Sequence, residues 1–410
     1  MRVTVIPPGT SHPGVQMGSP VGFIPTPSAS GPWRPRACLG AISPGGLMLP
    51  EAKPTESQFY APRGVHIVAE RVVVADTGNH RVLIFNGHPD RDSPSCDVVL
   101  GQPDAFTEGP QAGGRGPSDG MFLPTGVLVT DAGQLVVSDA WNHRLLVWDT
   151  VPDHATAPDL VLGQKNDIDV LANAGGAPSA TVFYWPFGIA VVDGRFYVAD
   201  TGNRRVLCWS DGVPTSPDQP ADVILGQGDA ISRDENAGDE AGPDSFRWPH
   251  AIAGDGAGGV LVADAGDHRL LGWSRHPVRQ QDADLVLGQG DFTTAVEFPY
   301  APQTGTRFRF PYGVVRVGDG LAVADTANNR VLIWDDMPRD PETDPQHVLG
   351  QPSFAKNGEN RWQEITPDTL CWPYGLGAHG NLLAIADSGN NRVVLWEKLD
   401  AGPDLEQAGC

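Results

Sequence analysis

Six times the chain sets an aspartate five residues ahead of an arginine, in the pattern Asp-x-x-[Asn/Asp]-x-Arg: Asp76 and Arg81, Asp139 and Arg144, Asp200 and Arg205, Asp264 and Arg269, Asp325 and Arg330, Asp387 and Arg392. A carboxylate and a guanidinium at that spacing could hold an anion or polarise a substrate, or they could close a tight turn by charge-assisted hydrogen bonding. The repetition decides between these readings. An active site breaks symmetry, whereas the aspartates recur every 61 to 64 residues in near-identical contexts, so the pairs are expected to be structural. Gly or Asn in each turn should take any positive φ, which leaves His80, His143 and His268 as occupants of a variable position before the arginine.

A second series varies where the first does not. The pattern Pro-x-[Gly/Ala]-[Val/Ile/Leu] begins at Pro62, Pro124, Pro186, Pro249, Pro311 and Pro373, and its open position holds Arg63, Thr125, Phe187, His250, Tyr312 and Tyr374. One cation, one hydroxyl and four consecutive rings can stack on a ligand and hydrogen-bond to it, which makes this uneven set the candidate binding site.

The elements that must position both series follow from a third signal. The string [Val/Ile]-Leu-Gly-Gln ends at Gln102, Gln164, Gln227, Gln289 and Gln351. Between these signals lie β-branched and aromatic runs separated by Gly, Asn, Asp and Pro, as in 64–68, 71–75, 81–85 and 97–100, so each repeat reads as four short strands. One such meander cannot bury both faces alone, but six arranged around an axis can. The expected fold is all-β, a six-bladed β-propeller of four-stranded antiparallel blades starting near 62, 124, 186, 249, 311 and 373. A sixth Leu-Gly-Gln is missing at the C-terminal end, while Cys38-Leu39-Gly40 lies one period before Leu100-Gly101-Gln102. An N-terminal strand from about 36–41 should therefore complete the last blade and remove the free edge. Residues 1–35, rich in Pro and Gly, fall outside the repeat and read as an extended arm, with 36–410 as a single propeller.

The string Val-Ala-Asp-Thr-Gly-Asn-His-Arg-Val-Leu-Ile at 74–84, its five relatives and the Pro-x-Gly-Val segment before them resemble the NHL repeat. The resemblance implies the propeller. It leaves activity open, because NHL-like propellers include protein-binding modules, RNA-binding domains, sensor ectodomains and lyases. This sequence departs from the ordinary repeat by inserts of 21 residues, at 103–123, 165–185, 228–248, 290–310 and 352–372, whose equal lengths argue against passive loops. Each ends with an apolar residue three before the proline (Phe59, Met121, Phe183, Phe246, Phe308, Leu370) and mostly a large one directly before it (Leu123, Trp185, Trp248, Phe310, Trp372), both expected to plug the insert onto the blades.

Strand direction puts inserts, Asp-Arg turns and Pro-x-Gly entrances on one face, around the channel mouth. The opposite hairpins, such as Asp90-Arg91-Asp92, are acidic and read as a solvated face. Lyases and lactonases that resemble this fold hold a metal at the axis, but the inner strands offer only His66, with His250 just before its strand and Arg316 nearby, short of the three ligands a catalytic metal needs. There is no GxSxG elbow, phosphate-cradling loop or diagnostic Cys-His pair, and the five cysteines lack metal spacing. No catalytic residue, metal or cofactor is therefore assigned. A formal charge of -22 disfavours nucleic acid. No stretch is apolar enough for a signal peptide or a membrane span, so cytoplasmic residence is expected. The reading that results is a monomeric, non-enzymatic scaffold that binds a protein or peptide on the insert-bearing face, with a metal-dependent lyase or hydrolase in the channel as the alternative.

Overall fold

The computed structural model describes residues 30–40, 53–298 and 302–399. Most of the expected N-terminal arm, residues 1–29, lies outside them. Six four-stranded antiparallel sheets succeed one another along the chain as blades 1 to 6. Blade 1 runs Gly64–Val68, Arg71–Asp76, Arg81–Asn86 and Val98–Leu100, and the others repeat it. The second strand of each blade is apolar on both faces because neighbouring blades cover both: Val72, Val73, Val74 and Ala75 are all fully buried. The cores consequently lie between blades, one joining Val72 and Val74 to Leu382 and Ala384. Trp148, Trp209, Trp273 and Trp334 end their third strands inside these layers, and Trp396 sits two residues before the end of its own.

The ring closes as the missing Leu-Gly-Gln implied. Residues Trp33–Gly40 form the outer strand of blade 6, with Cys38 opposite Val394 and Gly40 opposite Arg392. The strand begins at Trp33, ahead of the expected start, and an irregularity between Pro35 and Ala37 lets it follow the twist of its neighbour.

The five inner strands that carry glycine after the Pro-x pair start where a neighbouring backbone comes very close. A Cβ on Gly188 would lie 2.2 Å from the His250 carbonyl oxygen, and one on Gly313 equally close to that of Tyr374. The glycine of Pro-x-Gly thus lets the variable residues of successive blades crowd into one ring.

Candidate functional site

The Asp-Arg pairs hold the inserts in place. Arg81 Nε donates to Asp76 Oδ2 at 2.7 Å, and both side chains are fully buried. Its remaining donors reach Ala105 O in the following insert and Thr55 O and Gln58 O in the preceding segment. Arg144 repeats this with Asp167 O, Pro117 O and Gly120 O, and Arg205 with Ala230 O, Ser179 O and Val182 O. The other oxygen of each aspartate accepts the N–H of an insert's last residues, as Asp76 Oδ1 does from Tyr60 and Asp200 Oδ1 from Tyr184, both at 2.7 Å. Burial pushes the Asp76, Asp139, Asp200 and Asp387 carboxyls up, opposed by the adjoining guanidinium and N–H donors. Every partner at Asp76 is an N–H donor, an arrangement that fits the ionised form. In blade 4 Asp267 replaces the usual Asn, and burial together with its charge pushes Asp264 up against the pull of Arg269.

The Gln of Leu-Gly-Gln adds a second tie. Gln102, Gln164, Gln227, Gln289 and Gln351 each donate to the carbonyl seven residues ahead, from Gly109 O to Gly358 O. Clamped by this glutamine and by arginines of two adjacent blades, an insert cannot change length freely. The equal lengths therefore have a structural cause.

The residues before the arginines proved to have a definite job. The positive φ of the turn falls on His80, His143, Arg204, His268, Asn329 and Asn391, and not on the turn glycines. His80, His143 and His268 each present Nδ1 to a backbone N–H of the next insert, at Leu123, Trp185 and Phe310, 3.1 to 3.2 Å away. Asn329 and Asn391 do the same with Oδ1 to Trp372 and Ala61 at 2.9 Å. The five residues so held are the ones directly before the prolines, and all have left-handed backbones with φ between 46° and 52°. Arg204 breaks the series, reaching Glu235 instead, while Trp248 N–H goes to Asp264 and stays out of the left-handed region.

The plug reading divides accordingly. Phe59, Met121, Phe183, Phe246, Phe308 and Leu370 are at most 1% exposed and seat the inserts. Trp185, Trp248 and Phe310 remain half-buried and Trp372 is 42% exposed, so this second row belongs to the surface of the face.

The open positions of Pro-x-Gly meet around the axis. Ring centroids run Phe187 to His250 at 4.6 Å, His250 to Tyr312 at 4.5 Å and Tyr312 to Tyr374 at 4.6 Å, the last pair parallel within 3°. Arg63 completes the sequence with its guanidinium carbon 4.8 Å from the Tyr374 centroid. Thr125 is buried and spends its hydroxyl on the Pro186 and Phe187 carbonyls. Trp141, absent from the sequence-based set, extends the rings outward, 6.3 Å from Phe187 and 5.3 Å from Trp185. Its signal was available: the other five turns carry Gly78, Gly202, Gly266, Ala327 and Gly389 at that position.

Beneath the rings lies a channel cavity of about 260 Å³. Burial lowers the His250 and His66 pKa values to about 4, so both are neutral near pH 7, and it raises those of Tyr312 and Tyr374. His250 Nδ1 lies 2.9 Å from Trp248 O and must carry its proton there, which leaves Nε2 as an acceptor. His66 and His250 both line the cavity, but among the described residues no three His, Cys, Asp or Glu side chains group as a metal site would require. No helix among them is long and apolar enough to cross a membrane.

The NHL repeat model matches residues 59–85 and 183–209, the first three strands of blades 1 and 3 with the insert residues that enter them. With six such units closing one ring, the identification follows. The chain is an NHL-repeat β-propeller. No curated protein matches this NHL propeller in sequence. Among solved structures it is similar to the WD40 β-propeller domain of Doa1, at 10% identity over 90% of this chain and 98% of that one, TM-score 0.46. A Bacteroides thetaiotaomicron protein of unknown function has 11% identity over 89% and 75% of the two chains, TM-score 0.49. Virginiamycin B lyase from Staphylococcus aureus has 10% identity over 84% and 98%, TM-score 0.40. No residue role is transferred from any of them.

Proposed function

We propose that this NHL propeller is a non-enzymatic scaffold that holds a protein or peptide partner at the channel mouth on its insert-bearing face. The observation that carries the reading is the run of stacked rings from Phe187 to Tyr374, set in a frame whose Asp-Arg pairs are engaged with one another and with the inserts. Aromatic side chains already fixed by their neighbours lose little freedom on binding, so they are efficient anchors for a partner. The excess of 50 acidic over 28 basic residues fits a protein partner better than nucleic acid. Cytoplasmic residence and a monomeric state belong to the same reading, and fractionation and light scattering check them.

The test compares proteins captured from native extract by the wild type and by a Tyr312→Ala, Tyr374→Ala double variant of matched thermal midpoint. A partner held by the first and lost by the second is the expected result. Equal recovery on both removes the mouth from consideration.

A further inference from the structure

Arginine is scarce and accounted for on most of this face. Arg204 and Arg247 face Glu235, Arg309 faces Glu297 and Arg361 faces Asp368. Arg115, Arg233 and Arg307 on the inserts form no ion pair among the described residues, Arg307 resting on the Phe298 ring, and at the channel mouth the unpaired guanidinium is that of Arg63. Its guanidinium rests on the Tyr374 ring and, among the described residues, meets neither a carboxylate nor a hydrogen-bond acceptor. The phenol hydroxyls of Tyr312 and Tyr374 beside it are likewise without a protein partner among those residues.

The cavity these groups overlook is unlike the rest of the molecule. In a chain with 50 acidic residues, no aspartate or glutamate lines it. Its walls are Val65, Val127, Ile189, Ile252, Val314 and Leu376. Arg316 at its far side is engaged by Asp319 at 3.5 Å, so Arg63 holds the unneutralised charge. Burial keeps both phenols protonated as donors beside the Arg63 guanidinium, with no competing anion, while neutral His250 spends its N–H on Trp248 O and adds no charge.

A planar guanidinium with phenol donors beside it suits a carboxylate, which can accept from both at once. An apolar pocket directly below suits the body that carries it. About 260 Å³ accommodates an apolar side chain, which suits a ligand that enters by its end. We propose that the channel mouth of this propeller binds a terminal carboxylate on Arg63 and the two tyrosines, with the apolar side chain of that last residue seated in the cavity. This deepens the assignment of the mouth as the partner-binding site and rests on it. A peptide C-terminus and a free apolar acid share the recognised chemistry.

Calorimetric titration separates the cases. The probes are acetyl-Gly-Ser-Gly-Leu as the free acid and as its C-terminal amide, together with N-acetyl-leucine. The acid peptide should bind about tenfold to hundredfold more tightly than the amide, as a lost charge-assisted contact requires. Arg63→Gln should abolish that preference while shifting the thermal midpoint only slightly, since Arg63 makes no protein ion pair and loses only its contact with the Tyr374 ring, and Arg63→Lys should restore part of it. N-acetyl-leucine binding as tightly as the peptide supports the site and assigns it to free acids. Equal binding of acid and amide, a preference that survives in Arg63→Gln, or no binding of any probe at millimolar concentration overturns the carboxylate assignment. If a captured partner is lost from the tyrosine double variant yet fully retained by Arg63→Gln, the carboxylate idea fails alone and the mouth remains the binding site.

Discussion

Asn391 accepts a hydrogen bond from the backbone N–H of Ala61 at 2.9 Å, across 330 positions of sequence, and so ties blade 6 to the segment that enters blade 1. Ala61 holds φ 46°, a conformation that costs a non-glycine residue on the order of 1 kcal/mol or more and needs such a partner. Asn391→Ala should destabilise the propeller by about 1–2 kcal/mol in urea unfolding. Asn391→His should recover most of the loss, because His143 makes the equivalent contact to Trp185.

The clamp also shows where the sequence stopped being legible. The six blades, the closing strand and the ring from Arg63 to Tyr374 could be placed because each depends on period and strand alternation, which lie in the chain itself. The role of His80, His143 and His268 could not, because their partners are backbone N–H groups 42 or 43 residues away, which no side-chain pattern reports. Asn and His look unrelated at that position until the shared acceptor atom is seen. Insert length was legible only in part for a similar reason: equal spacing says that something fixes the length, and only the Arg81 and Gln102 contacts say what.

Acid should weaken this clamp. Nδ1 of His143 and of His268 can accept only when unprotonated, and burial lowers both pKa values to about 4. The unfolded chain takes up these protons near the ordinary value of about 6.5, so between pH 6.5 and 4 it binds more protons than the folded one. Stability should therefore be full above about pH 6.5 and fall steadily as the pH drops toward 4. Urea midpoints across that range in His143→Asn, His268→Asn should show a shallower decline than wild type, since Asn accepts without titrating; His80, His66 and His250, also lowered by burial, add to the remaining slope, and Asp264, pushed up to about 7, opposes it.

The buried pairs predict a different failure. Asp200→Ala would leave Arg205 charged in a fully buried site, which typically costs about 3–5 kcal/mol. Because Arg205 also ties Ser179, Val182 and Ala230, the damage should spread to the inserts on both sides. Limited proteolysis should cut within 165–185 and 228–248 before any other insert, and equal cutting everywhere would contradict a local clamp.

Trp141 separates frame from function most sharply. The equivalent positions in four other turns are glycine, so Trp141→Gly places in blade 2 a residue the same turn already uses elsewhere, and the thermal midpoint should barely move. Its ring nevertheless joins Trp185 to Phe187, continuing the aromatic surface from the mouth toward the insert of blade 3. If a partner lies across that surface, removing one large ring near its centre should weaken binding by roughly tenfold to hundredfold with an unchanged fold. A variant that unfolds would instead mean that Trp141 is a packing residue, and one that binds with unaltered affinity would confine the contact to the ring between Arg63 and Phe187.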